Sequence, residues 1–274
     1  MVNFSIKKGD FMKNLIKNYV VDFIKEYEKK DEISTTWRKP LVGFADANHE
    51  DIIHIREYTF EEHFMPSDVL EDPTVIVAYF VPFTKDIADS NIGGELASEK
   101  WALAYQETNE MFIKLNDYLI KKIEEMGYRA AVCEVAGNYK KDVLKSRWSH
   151  RHIAKVAGLG TFGVNNMLIT KEGCCGRYFT IVTNLPVSPD KPLEEENCIY
   201  KRNKNCLVCV KNCFSGALSK DNFDRFKCHE TCRKSFDNYE KLYGNKEKEK
   251  GKPKGGSEAC GKCVVNLPCS FKQP

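Results

Sequence analysis

Phe11, Leu15, Ile16, Tyr19, Phe23 and Tyr27 recur at helical spacing, which predicts an amphipathic N-terminal helix that ends in the polar run Lys29 to Asp31. A different pattern follows at Thr74-Val75-Ile76-Val77-Ala78-Tyr79-Phe80-Val81, a β-branched and aromatic run bounded by Pro73 and Pro82. It predicts a central strand. From about Leu96 to Met126, Trp101, Leu103, Tyr105, Phe112, Leu115, Leu119, Ile120 and Ile123 predict one long helix or two abutting ones, closed by Gly127. A short strand over Tyr128 to Cys133, a helix over Ser149 to Val156, and strands at Met167 to Thr170 and Tyr178 to Thr183 complete the pattern. Strands alternating with long helices predict an α/β or α+β domain over residues 1–190. Residues 191–274 form a second, cysteine-rich domain, for which metal ligation is expected to replace much of the hydrophobic burial.

Composition narrows the setting. With 42% hydrophobic and 30% charged residues, and no stretch approaching the roughly 20 apolar residues that cross a bilayer, the chain reads as a soluble protein. It shows no apolar N-terminal signal region and is expected in the cytoplasm, where its 12 cysteines would not pair as disulfides. A net charge of +3 is too small to imply a nucleic-acid partner. The basic run Lys246 to Lys254 is interrupted by Glu247 and Glu249 and reads as a solvated loop.

The cysteines carry the chemistry. Cys206, Cys209 and Cys213 are answered by Cys260, Cys263 and Cys269, close to the ferredoxin spacing in which a C-x2-C pair holds one cluster and the next Cys crosses to its neighbour. On that logic Cys198, Cys206, Cys209 and Cys269 hold one [4Fe-4S] cluster, and Cys213, Cys228, Cys260 and Cys263 hold the other. Cys198 precedes Cys206 by eight positions, so a loop must carry it back, and spacing alone does not choose between Cys228 and Cys232. A tetrahedral zinc site on Cys206, Cys209, Cys260 and Cys263 is the competing arrangement, but it leaves Cys213 and Cys269 unexplained. Cys133 reads as a small buried hydrophobe, and the adjacent pair Cys174-Cys175 as a packed turn or a redox-active pair.

Gly158-Leu159-Gly160-Thr161-Phe162-Gly163 matches the G-x-G-x-x-G string of dinucleotide-binding proteins. That fingerprint needs a strand before it, a helix after it and an acidic residue about 20 positions on. Here a helix precedes, a strand follows, and Thr180 to Asn184 holds no carboxylate.

With Ser149-His150-Arg151-His152-Ile153-Ala154-Lys155-Val156-Ala157 before it, and Leu168-Ile169-Thr170 and Gly173 after it, this segment resembles the AGLG-x-x-G region of epoxyqueuosine reductases and reductive dehalogenases. The resemblance covers about residues 128–270. It implies a nitroreductase-like α/β cofactor domain followed by a two-cluster ferredoxin-like module, α+β overall. It also implies a cobalamin bordered by Gly158, Leu159, Gly160, Thr161, Phe162 and Gly163, reduced by the nearer cluster, and it favours Cys228 as ligand over Cys232. Electrons would come from a ferredoxin or flavodoxin, and the substrate would be a small molecule or a tRNA nucleoside. Candidate groups for protonating or stabilising the leaving atom are Tyr139, Lys145 and Arg147, with His150 and His152 read as structural. Val143-Leu144-Lys145-Ser146-Arg147 lacks a carboxylate where epoxyqueuosine reductases place a proton donor. The alternative function is therefore a non-catalytic electron-transfer or corrinoid-reducing protein that serves a partner enzyme.

Overall fold

Every residue of Val75–Pro82 is buried, because that strand lies inside a sheet covered on both faces. The computed structural model describes residues 2–133, 138–246 and 249–274, and the side chains from residue 8 onward. In chain order the elements are α1 (Val2–Tyr27), β1 (Leu41–Asp46), α2 (Glu50–Ile53), α3 (Ile55–Tyr58), α4 (Pro66–Val69), β2 (Val75–Pro82), α5 (Lys85–Ser90), α6 (Glu99–Glu125), β3 (Ala130–Ala131), β4 (Tyr139–Lys140), β5 (Lys145–Ser146), α7 (His150–Val156), β6 (Gly160–Phe162), β7 (Leu168–Thr170), β8 (Gly176–Thr183), α8 (Ile199–Asn203), α9 (Val208–Asn212) and α10 (Arg225–Tyr243).

The main sheet has the order β1-β2-β8-β3, and all three pairings are antiparallel. Strand periodicity divides its faces. Val75, Val77, Tyr79 and Val81 pack with α1 and α6, whereas Ile76, Ala78 and Phe80 pack with Ile153 and Val156 of α7 and with Trp148 just before it. α6 is a single helix, as its periodicity allows. Ser98 caps it by accepting from the Trp101 N–H at 3.1 Å, and Gly127 leaves it with φ +85°.

Three of the differences from the sequence reading bear on the sheet and the thiol-bearing part. The strand expected over Tyr128 to Cys133 is confined to Ala130–Ala131 at the sheet edge. β1 is unforeseen because Leu-Val-Gly-Phe-Ala-Asp is short and contains small residues; its register on β2, Leu41 opposite Phe80, decides it. α10 is also unforeseen, since its buried residues are only Thr231, Ser235 and Tyr239 and no apolar stripe announces it. Its start carried a local signal: Asp224 accepts from the N–H groups of Phe226 and Lys227.

The cysteine-rich part does not stand apart from the sheet domain. One hydrophobic cluster joins Val20, Tyr79, Trp101 and Leu115 to Cys174, Cys198, Ala259, Val264 and Val265. Among the described residues, no helix is long and apolar enough to cross a membrane.

Candidate metal centre and adjoining cavity

Two cavities sort the cysteines. One, of about 20 Å³, is lined by Cys198, Cys206, Cys209 and Cys269 together with apolar groups such as Ile169, Val208 and Leu267. The other, of about 220 Å³, is lined by Cys213, Cys228, Cys232, Cys260 and Cys263. This is the partition expected from spacing, and an all-thiol donor set around each cavity fits an iron-sulfur cubane. The zinc arrangement is not built, because the two C-x2-C pairs it requires line different cavities. Among the described residues, no three His, Cys, Asp or Glu side chains converge on a single-ion position.

Local structure explains the irregular spacing. Cys198 is the N-cap of α8, and Lys204, in the left-handed region at φ 64°, turns the chain back toward Cys206. Cys209 lies in α9 and Cys213 at its C-cap, so the helix turns the third thiol away from the first pair. Cys228 and Cys232 stand one turn apart on α10. A hydrogen bond from Cys232 and the nearby Arg151 charge pull the Cys228 thiol down, whereas that same contact, burial and the Cys228 and Glu258 charges hold Cys232 up. The Arg151 charge thus favours the ionised form at Cys228, while the Glu258 charge disfavours it at Cys232.

The surroundings of the cavities differ in charge. Among the described residues, no ionisable side chain apart from the thiols lines the first. The second is lined by Arg177, Glu258 and Lys262. Lys262, only 5% exposed, donates to Asn91 O and Oδ1, both at 3.0 Å, and to Gly93 O at 2.6 Å. Its burial lowers its pKa. Arg177 donates to Asn109 Oδ1 at 2.9 Å and lies 4.3 Å from the Tyr105 ring centroid, while its buried Nε has no hydrogen-bond partner. Asn165 lines both cavities, and its amide donates to Cys263 O at 3.0 Å. Lys262 could have been noticed inside the Cys260–Cys263 turn and Asn165 just after Gly163. Nothing in the strand sequence marked Arg177.

Cys174 and Cys175 are fully buried beneath the C-terminal segment. The Cys174 N–H donates to Cys269 O at 3.0 Å, and the Cys175 thiol donates to Val264 O at 2.8 Å. They pack the turn against the loop that carries Cys269. Cys133 is buried beside Trp148 and Val182.

The candidate proton donors do not converge. Tyr139 and Lys145 stand on the β4–β5 hairpin, yet Lys145 Nζ donates to Thr59 O at 3.0 Å and Arg147 Nε to Glu62 O at 3.2 Å, both on the segment before α4. Tyr139, 44% exposed, instead faces the module, where burial and then the Glu258 and Cys232 charges raise its pKa. His150 Nδ1 is 2.9 Å from Thr180 Oγ1, and the ring stacks on Phe179. His152 pairs with Ser149 Oγ at 2.7 Å and packs on Phe162. Both are structural.

The glycine segment is a packed hairpin. Gly160, Thr161 and Phe162 form β6 against β7, and Thr161 Oγ1 accepts from Asn197 N–H at 2.7 Å. A side-chain carbon at Gly160 would stand 2.5 Å from Ile169 O, and one at Gly163 2.6 Å from Asn165 Oδ1. At Gly158 it would overlap Lys191 O. The bare faces of these glycines thus meet the protein's own atoms. Gly158 and Leu159 border a groove of about 660 Å³ beside α1, whereas Gly163 borders the first thiol cavity. The six residues do not frame one face for a corrin.

No protein-family profile matches the chain. An epoxyqueuosine reductase from Bacillus cereus is 31% identical over 119 residues, which is 42% of this chain and 26% of the relative. The Bacillus anthracis enzyme is 30% identical over the same length. The match therefore spans about a quarter of the length of these curated relatives. A crystal structure of an epoxyqueuosine reductase superimposes with a TM-score of 0.51 at 19% identity, covering 93% of this chain and 66% of that one. A catabolic reductive dehalogenase superimposes with a TM-score of 0.56 at 16% identity, covering 85% and 30%. Over those 119 residues the chain is similar to epoxyqueuosine reductases, and it shares its fold with solved epoxyqueuosine reductases and reductive dehalogenases.

Proposed function

We propose that the chain is an iron-sulfur reductase of the epoxyqueuosine reductase type that works on a small molecule or a modified nucleoside. The observation that carries this reading is the sorting of the thiols into two cavities, the second of which opens toward Arg177, Tyr105 and Met167 of the sheet domain. Cys198, Cys206, Cys209 and Cys269 would hold one [4Fe-4S] cluster, and Cys213, Cys228, Cys260 and Cys263 the other. When bound, such clusters supply single electrons at low potential.

The protein's own groups differentiate the two positions. Lys262, Arg177 and Arg151 place positive charge around the second set, beside the single carboxylate of Glu258, which favours an added electron there; the first set is lined by apolar groups and Asn165, with cations only on its exposed outer side. That difference directs electrons from the first set to the second. Tyr139 is near enough to the module for the Glu258 and Cys232 charges to add to the effect of burial in raising its pKa, so its phenol stays protonated, as a weak proton donor. Lys145 and Arg147 hold the 59–64 segment in place beneath the hairpin.

Cobalamin dependence is part of the proposal and rests on the family resemblance alone. Gly158 and Leu159 border the groove beside α1, whereas Gly163 borders the first thiol cavity. A tRNA nucleoside remains among the proposed substrates because a solved epoxyqueuosine reductase carries an epoxyqueuosine-modified tRNA stem loop.

Anaerobic reconstitution tests the reading. About eight irons per chain, retention of added cobalamin through desalting, and reductant-dependent loss of an epoxide-bearing nucleoside or an aryl halide are the expected results. Eight irons with neither retention nor turnover would instead establish the electron carrier, for which the absence of an aligned carboxylate is the supporting observation. Zinc in place of iron would overturn both.

A further inference from the structure

Residues 197–220 carry Lys201, Arg202, Lys204, Lys211 and Lys220 and not one carboxylate, in a chain whose 42 basic and 39 acidic residues otherwise nearly balance. All five cations are exposed. They sit on α8, on the left-handed turn at Lys204, on α9 and just beyond, the segment that supplies Cys198, Cys206, Cys209 and Cys213.

Arg202 lies at the rim of the first thiol cavity, Ile199 and Val208 of the same two helices line it, and Lys211 borders the neighbouring groove beside Asn212 and Phe214. Arg202 donates to Pro274 O at 2.7 Å, and Pro274 is one of the residues that line that cavity. Few of these cations are neutralised. Lys201 reaches Glu196 only at 3.7 Å and Lys220 reaches Asp221 at 3.6 Å, both exposed pairs of little strength. Half-buried Leu207, Val208 and Val210 lie among them, so an apolar centre is edged by charge, the usual anatomy of a protein contact. Cys206 and Cys209 are themselves only partly covered.

We propose that this face is the docking surface for an acidic one-electron carrier protein, which delivers electrons to the set Cys198, Cys206, Cys209 and Cys269. The proposal rests on the iron-sulfur reading above and adds the place of entry and the charge of the donor. In each encounter the reduced carrier loses one electron and the first cluster gains it, with no bond made or broken and no proton required. Opposite charge would hold the carrier over the cavity and raise the encounter rate. An RNA ligand is the lesser fit. Tyr200, the one ring on α8 and α9, is covered by Lys204 Nζ at 5.0 Å and offers no free face on which to stack a base.

The test compares the reconstituted wild-type protein with the triple variant K201E/R202E/K211E. A flavodoxin of net negative charge is the donor, and stopped-flow bleaching of the clusters is the readout. The expected result is reduction slower by about tenfold or more at low ionic strength, with the difference vanishing at high salt. Photoreduced deazaflavin, which needs no docking, should reduce both proteins equally, and iron content should match. Equal rates with flavodoxin at low salt would overturn the proposal. So would a variant that loses affinity for a tRNA stem loop while keeping its flavodoxin rate, which would assign the face to RNA. Absence of iron from the wild type would sink the cluster reading itself; the dissociation constant for oxidised flavodoxin, measured on the same two proteins, would still decide the docking surface.

Discussion

The backbone of Gly261 lies flat against the indole of Trp101, so closely that any side-chain carbon at position 261 would overlap the ring. Gly261 also has φ +74°, a conformation that other residues adopt at a cost. The turn between Cys260 and Cys263 is thereby pressed onto the first turn of α6, and the thiol set is fixed to the sheet domain. Gly261→Ala should lower stability by about 1–3 kcal/mol through overpacking and strain. It should also reduce iron retention after desalting. Wild-type melting temperature and iron content in that variant would refute the role of this contact.

Cys228 and Cys232 face the same cavity from successive turns of α10, yet only one corner is open to them. The Arg151 charge acts on Cys228 and the Glu258 charge on Cys232, which favours Cys228 as the ligand. Cys228→Ala should reconstitute with about four irons and Cys232→Ala with about eight. The reverse pattern would move the ligand to Cys232.

Lys262 is a buried cation whose three acceptors are all neutral oxygens of Asn91 and Gly93. Cys260 is the acidic group whose charge acts on it in compensation. Lys262→Met removes that cation, which makes electron gain at the second set harder. In an anaerobic redox titration followed by electron paramagnetic resonance, one cluster potential should become more negative while the other stays in place. Equal movement of both, or of neither, would count against the charge difference between the two sites.

Acid sensitivity follows from three imidazoles held neutral. His63 accepts from the Ser149 N–H at 2.8 Å and donates to Phe64 O at 2.5 Å, so a second proton would break a bond, and burial pushes its pKa down to about 4. Burial pushes His150 and His152 down to about 3. All three folded values lie below the ordinary 6.5, so the unfolded chain takes up protons first. Their contribution to stability is full above about pH 6.5 and declines as pH falls toward the folded values, by up to about 1.4 kcal/mol per pH unit for each ring. Urea midpoints should be lower at pH 5 than at pH 7, and His150→Leu should flatten the dependence. A midpoint independent of pH across that interval would show that these rings are not buried neutral.

What the chain declared by itself was local or short-ranged. The periodicity of residues 11–27 and 96–126, the unbroken apolar run before Pro82 and the C-x2-C spacings all reflect forces acting within one element or one turn. They located α1, α6 and β2. The AGLG-x-x-G segment was enough to identify the relatives.

Tertiary structure decided the rest. The glycines of that segment touch strand and loop backbone distant in sequence, so spacing could not distinguish a cofactor face from a packed hairpin. Tyr139, Lys145 and Arg147 are near neighbours in the chain but part company because a hairpin aims Tyr139 at the module while residues 59–64 engage the other two. Lys262 acquires its role only when the loop at Asn91 closes over it, and Arg177 when β8 carries it to the second cavity. Each of these depends on which surfaces long-range burial brings together, and a one-dimensional pattern does not contain that information.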